Sequence, residues 1–295
     1  MNAGGFVMNS MKIILDSTGD IPFEWFKEKD VENIPLHVLW ENPNETEDDI
    51  RVSEEIERYW GKIQSRPNTP KTSQPTPAEF SALFSKAFQE GYTEVLALCL
   101  SSKMSGTYNS AEIAARDFPG KVEVVDTKLA SAANALIARR ARELADQKIA
   151  VRRIKEILDR EISEKRFGAY FYVSDFEFLK KGGRISKFAS FLGNMLKLRV
   201  SLFISDDGNL MPFAKNKGTE KTHDALLKAV LNVYPEKSRI NLVMVYTINT
   251  EEAKILYNRL SEIYTVADVN YSPMGKVISS HVGPYATGFG IERIS

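Results

Sequence analysis

A single cysteine, Cys99, stands among 295 residues. That excludes an intramolecular disulfide and any cysteine-built metal site, and it favours a reducing compartment. Neither sign of charge is in excess, with 39 Lys+Arg against 39 Asp+Glu. The balance argues against a nucleic-acid binder held by a broad positive field. No apolar run approaches the ~18 residues needed to span a bilayer, so no integral membrane association is expected. Residues 1–10 have no basic n-region or long apolar stretch, and read as a short extension ahead of the first strand. There is no Gly-x-x-x-x-Gly-Lys-Ser/Thr, no Gly-x-Ser-x-Gly, no His-Glu-x-x-His, and no dinucleotide fingerprint after the first strand. What is present is 43% hydrophobic residues, enough for about two domains with real cores. The expectation is a soluble, cytoplasmic protein.

The first half alternates short apolar runs with helical patterns, the signature of βαβ units in an α/β fold. Strands are expected over residues 12–16, 31–39, 95–100 and 122–125. An acidic loop is expected over residues 41–49, followed by a helix capped by Ser53. Thr76-Pro77-Ala78-Glu79 is the clearest local signal: a capping threonine, a proline at the first helical position and a glutamate able to close a capping box. After Lys165 the rhythm changes. A strand over 169–173 leads to a short helix ending at Gly182-Gly183. A hairpin turns at Asp206-Asp207-Gly208-Asn209, and the last two strands are expected over 265–269 and 277–281. This half reads as a mixed sheet, giving an organisation of 1–165 and 166–295 with closely packed domains.

Three loops carry small hydroxyl residues where a strand ends or a helix begins: Asp16-Ser17-Thr18-Gly19, Lys71-Thr72-Ser73-Gln74-Pro75, and Ser101 through Thr107. In open α/β sheets such loops meet beyond the carboxyl ends of the strands, where ligands bind. Ser105-Gly106-Thr107 opens a helix, whose free N–H groups attract anions, and glycine there admits close approach. Singly, each piece reads first as a cap or a turn. Together they suggest an anion pocket of hydroxyls and amides. His281, read as the end of a strand before Val282-Gly283-Pro284, joins the candidates. His37 and His223 read as structural or solvent-facing. Cys99 reads as an inert core residue, and Asp16 and Asp126 as acceptors for loop amides. Lys180-Lys181-Gly182-Gly183-Arg184 is a basic turn suited to a phosphate, a helix end or a partner.

In order along the chain, five stretches resemble the DegV family of fatty-acid-binding proteins, the B subunit of bacterial fatty acid kinase. They are Asp16-Ser17-Thr18-Gly19-Asp20-Ile21-Pro22, Thr72-Ser73-Gln74-Pro75, residues 101–111, residues 178–186 and His281-Val282-Gly283-Pro284. The resemblance implies an N-terminal Rossmann-like parallel sheet, a C-terminal mixed α/β domain and a long-chain fatty acid between them, with no cofactor. It implies that Thr72, Ser73, Ser105, Gly106 and His281 meet the carboxylate. It also implies that a separate ATP-binding kinase subunit phosphorylates that carboxylate, with Arg184 facing the kinase.

Departures from the family pattern fall at Ala132-Ala133-Asn134, at Arg199-Val200, at Lys217, and at Tyr285 after Gly283-Pro284. Tyr285 and the segment around Ala132 are expected to narrow or redirect the tunnel. Two other readings remain at this level. One is a stand-alone serine esterase or thioesterase using Ser105 and His281, disfavoured by the missing nucleophile elbow. The other is a lipid sensor or transport protein without a kinase partner.

Overall fold

The computed structural model describes residues 11–42, 44–66, 68–184 and 198–294. The extension read over residues 1–10, and Ile185 and Ser186 of the fourth resembling stretch, lie outside them.

Strands β1 (Met11–Asp16), β2 (Val31–Ile34), β6 (Glu94–Cys99) and β7 (Val122–Asp126) form a parallel sheet in the order β2-β1-β6-β7. Every residue of β1 is buried, as a parallel strand covered on both faces requires. Alternation then sorts its side chains. Ile14 packs with Phe80 and Phe84 of α3 (Pro77–Gln89) and Ala111 of α4 (Thr107–Ala115). Ile13 and Leu15 face the other way, toward Trp25 of α1 (Phe23–Glu28), α5 (Ala132–Asp146) and α6 (Val151–Ser163). The capping box is formed: Thr76 Oγ1 accepts the Glu79 amide at 3.3 Å, and Glu79 accepts the Thr76 amide at 2.7 Å.

The second sheet is mixed. Its strands are β8 (Phe167–Val173), β9 (Arg199–Ile204), β10 (Leu210–Asn216), β11 (Arg239–Tyr246), β12 (Thr265–Pro273) and β13 (Ala286–Arg293). They run in the order β10-β9-β8-β13-β11-β12, with β11 and β12 parallel and the other pairs antiparallel. Helices α8 (Thr219–Leu231) and α9 (Thr250–Ser261) cover one face through Leu226, Val230, Leu256 and Leu260. The opposite face lies on α5, which also touches β1. An alanine-rich helix buried nearly all round suits a place between two sheets. At Gly290 a Cβ would stand 2.5 Å from the backbone of Ala132 and Ala133, so β13 carries glycine where α5 begins. One apolar cluster runs from Ile13 and Leu15 through α5 to Val173, Val200 and Val243, joining the two halves in a common core.

Three sequence expectations are corrected. The strand over 31–39 is broken at Pro35, which lacks a ladder N–H. Its second part, β3 (His37–Leu39), joins a separate antiparallel sheet of order β4-β3-β5. There β4 (Thr46–Asp48) lies inside the expected acidic loop, and β5 (Lys71–Ser73) inside an expected hydroxyl loop. Ser53 does not cap α2 (Ser53–Ser65); Val52 occupies the cap without a side-chain bond. Residues 277–281 are not a strand but belong to helix α10 (Lys276–Val282), and the final strand is β13. Val277 and Ile278 have strand propensity, yet Val277 and His281 recur at helical spacing and Val277 packs against Trp60 and Ile56 of α2. Tertiary contact decides against local propensity. Among the described residues, no helix is long and apolar enough to cross a membrane.

Candidate functional site

The loop after β1 is tied down by Asp16. Its buried carboxylate accepts the Thr18 amide at 3.0 Å and, across the sheet, the Leu100 amide at 2.5 Å. Burial pushes Asp16 up to about 6, against those same hydrogen bonds. Asp126 plays the matching part beyond β7, accepting the Ser102 amide at 3.1 Å, the Ser102 hydroxyl at 2.6 Å and the Lys128 amide at 3.1 Å. Both aspartates therefore organise loops, as their strand-end positions suggest. Cys99 is fully buried, and burial pushes its thiol well up.

The edge of the small sheet supplies Thr72 and Ser73, held opposite Val38 and His37 of β3. Beside it, Gly106 caps α4. A Cβ on Gly106 would stand 2.3 Å from Gln74 Oε1, so glycine lets this helix start and the β5 loop touch. Gln74 Nε2 donates to Ser110 Oγ at 3.1 Å, and the Ser105 and Thr107 hydroxyls lie 2.9 Å apart.

Helix α10 brings His281 to these loops. Its Nε2 is 2.9 Å from Thr72 Oγ1, and Nδ1 is buried without a partner among the described residues. Burial pushes the imidazole down to about 3, and the Arg184 cation acts in the same direction. The ring is therefore neutral at physiological pH. Arg184 follows α7 (Glu177–Gly182) and donates through Nη1 to the Gly182 carbonyl at 2.6 Å.

These groups line a cavity of about 580 Å³ between the parallel sheet, the mixed sheet and α10. Thr72, Ser73, Ser105, Gly106, His281 and Arg184 all line it, as do Thr18, Gln74 and Ser131. Most of the remaining lining is apolar, including Leu100, Met104, Ala132, Phe171, Val245 and Ile278, with Ser102 and Lys103 beside them. Among the described residues that line it there is no carboxylate, while Lys103 and Arg184 are present. Such a space suits a ligand with a long apolar body and one anionic end.

Ala132 lines the cavity, as its place in the sequence suggests, but Tyr285 does not. Tyr285 is half exposed and its hydroxyl accepts from Gln64 Nε2 at 3.1 Å. Sequence reasoning missed the α10 contribution of Val277, Ile278 and Val282, because that segment reads as a strand. The Gly275 and Gly283 brackets around it were the available signal. Ser105 and His281 do not form a nucleophile–base pair here, since Ser105 bonds Thr107 and His281 bonds Thr72.

Comparison with known proteins places the whole chain in a family and a fold. A family model described as "uncharacterised protein, DegV family" matches residues 10–293. A fatty acid-binding protein of Thermotoga maritima is 44% identical over 282 residues, covering 96% of this chain and 97% of that one. The crystal structure of a DegV lipid binding protein from the same organism superposes with a TM-score of 0.92 at 42% identity, covering 97% of this chain and 99% of the other. In fold alone, the chain is also similar to the fatty acid kinase B3 protein of Streptococcus pneumoniae loaded with linoleic acid. That match has a TM-score of 0.81 at 20% identity and covers 96% and 99% of the two chains.

Proposed function

Because the chain belongs to the DegV family, we propose that it binds a long-chain fatty acid and presents the carboxylate to a separate ATP-dependent kinase subunit, in the cytoplasm. The observation that carries the binding reading is the cavity of about 580 Å³, lined mostly by apolar side chains and also by hydroxyls and a neutral imidazole, of which Thr72 and His281 touch. In this reading Thr72, Ser73, Ser105, Gly106 and His281 hold the carboxylate, and Arg184 stands on the kinase-facing rim. Burying a methylene yields about 0.8 kcal/mol, so a chain of ~14 methylenes offers roughly 11 kcal/mol before association costs. Neutral donors keep the buried carboxylate ionised without the tight bidentate clamp of an arginine, which leaves its oxygen nucleophilic toward a phosphoryl group. The kinase step rests on the sequence resemblance; the pneumococcal neighbour adds likeness of fold.

The test is native mass spectrometry of the purified protein, then organic extraction of whatever stays bound. A stoichiometric fatty acid supports the reading. A protein that is empty and takes up no added fatty acid overturns it, and hydrolysis of a model ester would then direct attention to Ser105. Incubating the loaded protein with ATP and a candidate kinase subunit, and trapping acyl phosphate with hydroxylamine, tests the second step separately.

A further inference from the structure

Helix α10 carries His281, yet it is only seven residues long and begins at Gly275, without a side-chain cap of its own. A helix this short has no stability in isolation, and its first N–H groups need outside partners. The first half of the chain supplies them. The Gly275 amide donates to Asp20 Oδ1 and the Lys276 amide to Asp49 Oδ1, each at 2.7 Å. The Val277 amide faces the Asp49 carboxylate as well. Both aspartates are fully buried.

Arg51 completes the arrangement. Its Nη1 donates to Asp20 Oδ1 at 3.1 Å, and its Nη2 to the Ser272 hydroxyl and the Pro273 carbonyl, each at 2.8 Å. A carboxylate at a helix start is favoured by the helix dipole and makes charge-assisted bonds there. Further along α10, Trp60 Nε1 donates to Ser279 at 3.0 Å, and the Tyr59 and Ser280 hydroxyls lie 2.6 Å apart. The opposite side of the helix, through Val277, Ile278, His281 and Val282, is cavity wall.

We propose that Asp49, backed by the Asp20–Arg51 pair, is a positioning residue for ligand binding. It fixes the start of α10 and thereby sets His281 against Thr72 and the apolar side of the helix against the acyl chain. The proposal rests on the fatty-acid reading for the identity of the ligand.

The test compares Asp49→Ala, Asp49→Asn and Leu256→Ala in the full chain, with palmitate as the probe. Leu256 is a fully buried residue on the far face of the mixed sheet and controls for general destabilisation. In Asp49→Ala, amides 276–283 should exchange hydrogen faster while those of β1 and β6 stay protected. Palmitate should leave about tenfold faster, the equivalent of one lost helix cap. Asp49→Asn keeps an acceptor for the Lys276 amide and should fall between that variant and the parent. Leu256→Ala should lower the melting temperature without changing palmitate release.

Parent-like release from Asp49→Ala, or acceleration matched by Leu256→Ala, overturns the proposal. If Asp49→Ala does not fold, Asp49→Asn decides: an intermediate release rate supports the assignment and a parent-like rate overturns it. If the parent protein takes up no palmitate, the fatty-acid reading fails by itself. Exchange at 276–283 in the Asp49 variants then still decides whether this residue holds the helix.

Discussion

Thr72 Oγ1 and His281 Nε2 stand 2.9 Å apart although 209 positions separate them in the chain. Both residues line the cavity, the threonine on a sheet edge and the histidine near the end of a short helix. Replacing His281 with alanine removes the imidazole and leaves the half-buried Thr72 hydroxyl short of a partner. Titration with palmitate should show affinity falling about tenfold or more, in line with loss of one hydrogen bond to a charged group. Unchanged affinity would remove His281 from the carboxylate site.

Gly106→Ala should separate binding from stability. The new Cβ meets the amide end of Gln74, an exposed and flexible side chain that can swing away. Thermal stability should therefore change by less than about 1 kcal/mol, within the usual range for a surface adjustment. The Gln74–Ser110 bond is lost in the process and fatty-acid affinity falls. Gln74→Ala removes the same bond without any clash, and an equal fall in affinity in that variant is the measurement that checks the mechanism.

His223 predicts a pH effect of definite sign. It lies on α8, 1% exposed, with its ring 5.7 Å from that of Tyr172. Burial pushes it from 6.5 down to about 4, with Arg259 acting in the same direction. Above pH 6.5 both folded and unfolded chains hold it neutral, and its contribution is complete. As pH falls toward 4 the unfolded chain takes up a proton that the folded ring refuses, so stability is lost. His223→Gln abolishes this term. Urea unfolding at pH 7 and pH 4.5 should show the variant gaining roughly 2 kcal/mol on the parent between the two conditions. A difference independent of pH contradicts a neutral buried ring.

Glu292 on β13 joins elements from both halves. It is 2% exposed and accepts from Arg139 Nη2 at 2.6 Å, Arg166 Nη2 at 2.7 Å and Asn241 Nδ2 at 2.8 Å. Glu292→Ala takes one carboxylate from two arginines that each keep another, Arg139 on Asp268 and Arg166 on Glu161. The unfolding free energy should drop by roughly 1–3 kcal/mol, with the denaturant slope unchanged.

Much of the site was legible because its loops are locally encoded. The Thr76–Glu79 box, the glycine before α4 and the hydroxyls of Thr72, Ser73 and Ser105 follow from short-range rules, and these three hydroxyl residues line one cavity with Gly106, Arg184 and His281, whereas Tyr285 does not. What stayed hidden depends on distant partners. Val277 and Ile278 form a helix because aspartates more than 220 residues away take its first N–H groups. The strand Ala286–Arg293 is punctuated by glycines that read locally as strand breakers, while Gly290 is required by the backbone of α5 lying on it. Pro35 was visible, but that it divides one apolar run between two sheets is a property of the fold.

The order β10-β9-β8-β13-β11-β12 also has a consequence for synthesis. Strand β13 occupies an interior place, between β8 and β11, yet residues 286–293 are translated after every other strand of that sheet. Until they leave the ribosome, β8 and β11 each present an open apolar edge, and α5 has no completed surface to close against. The parallel sheet can form while the chain is still being made. The mixed sheet, and with it the second wall of the cavity, can close only after translation has passed residue 293.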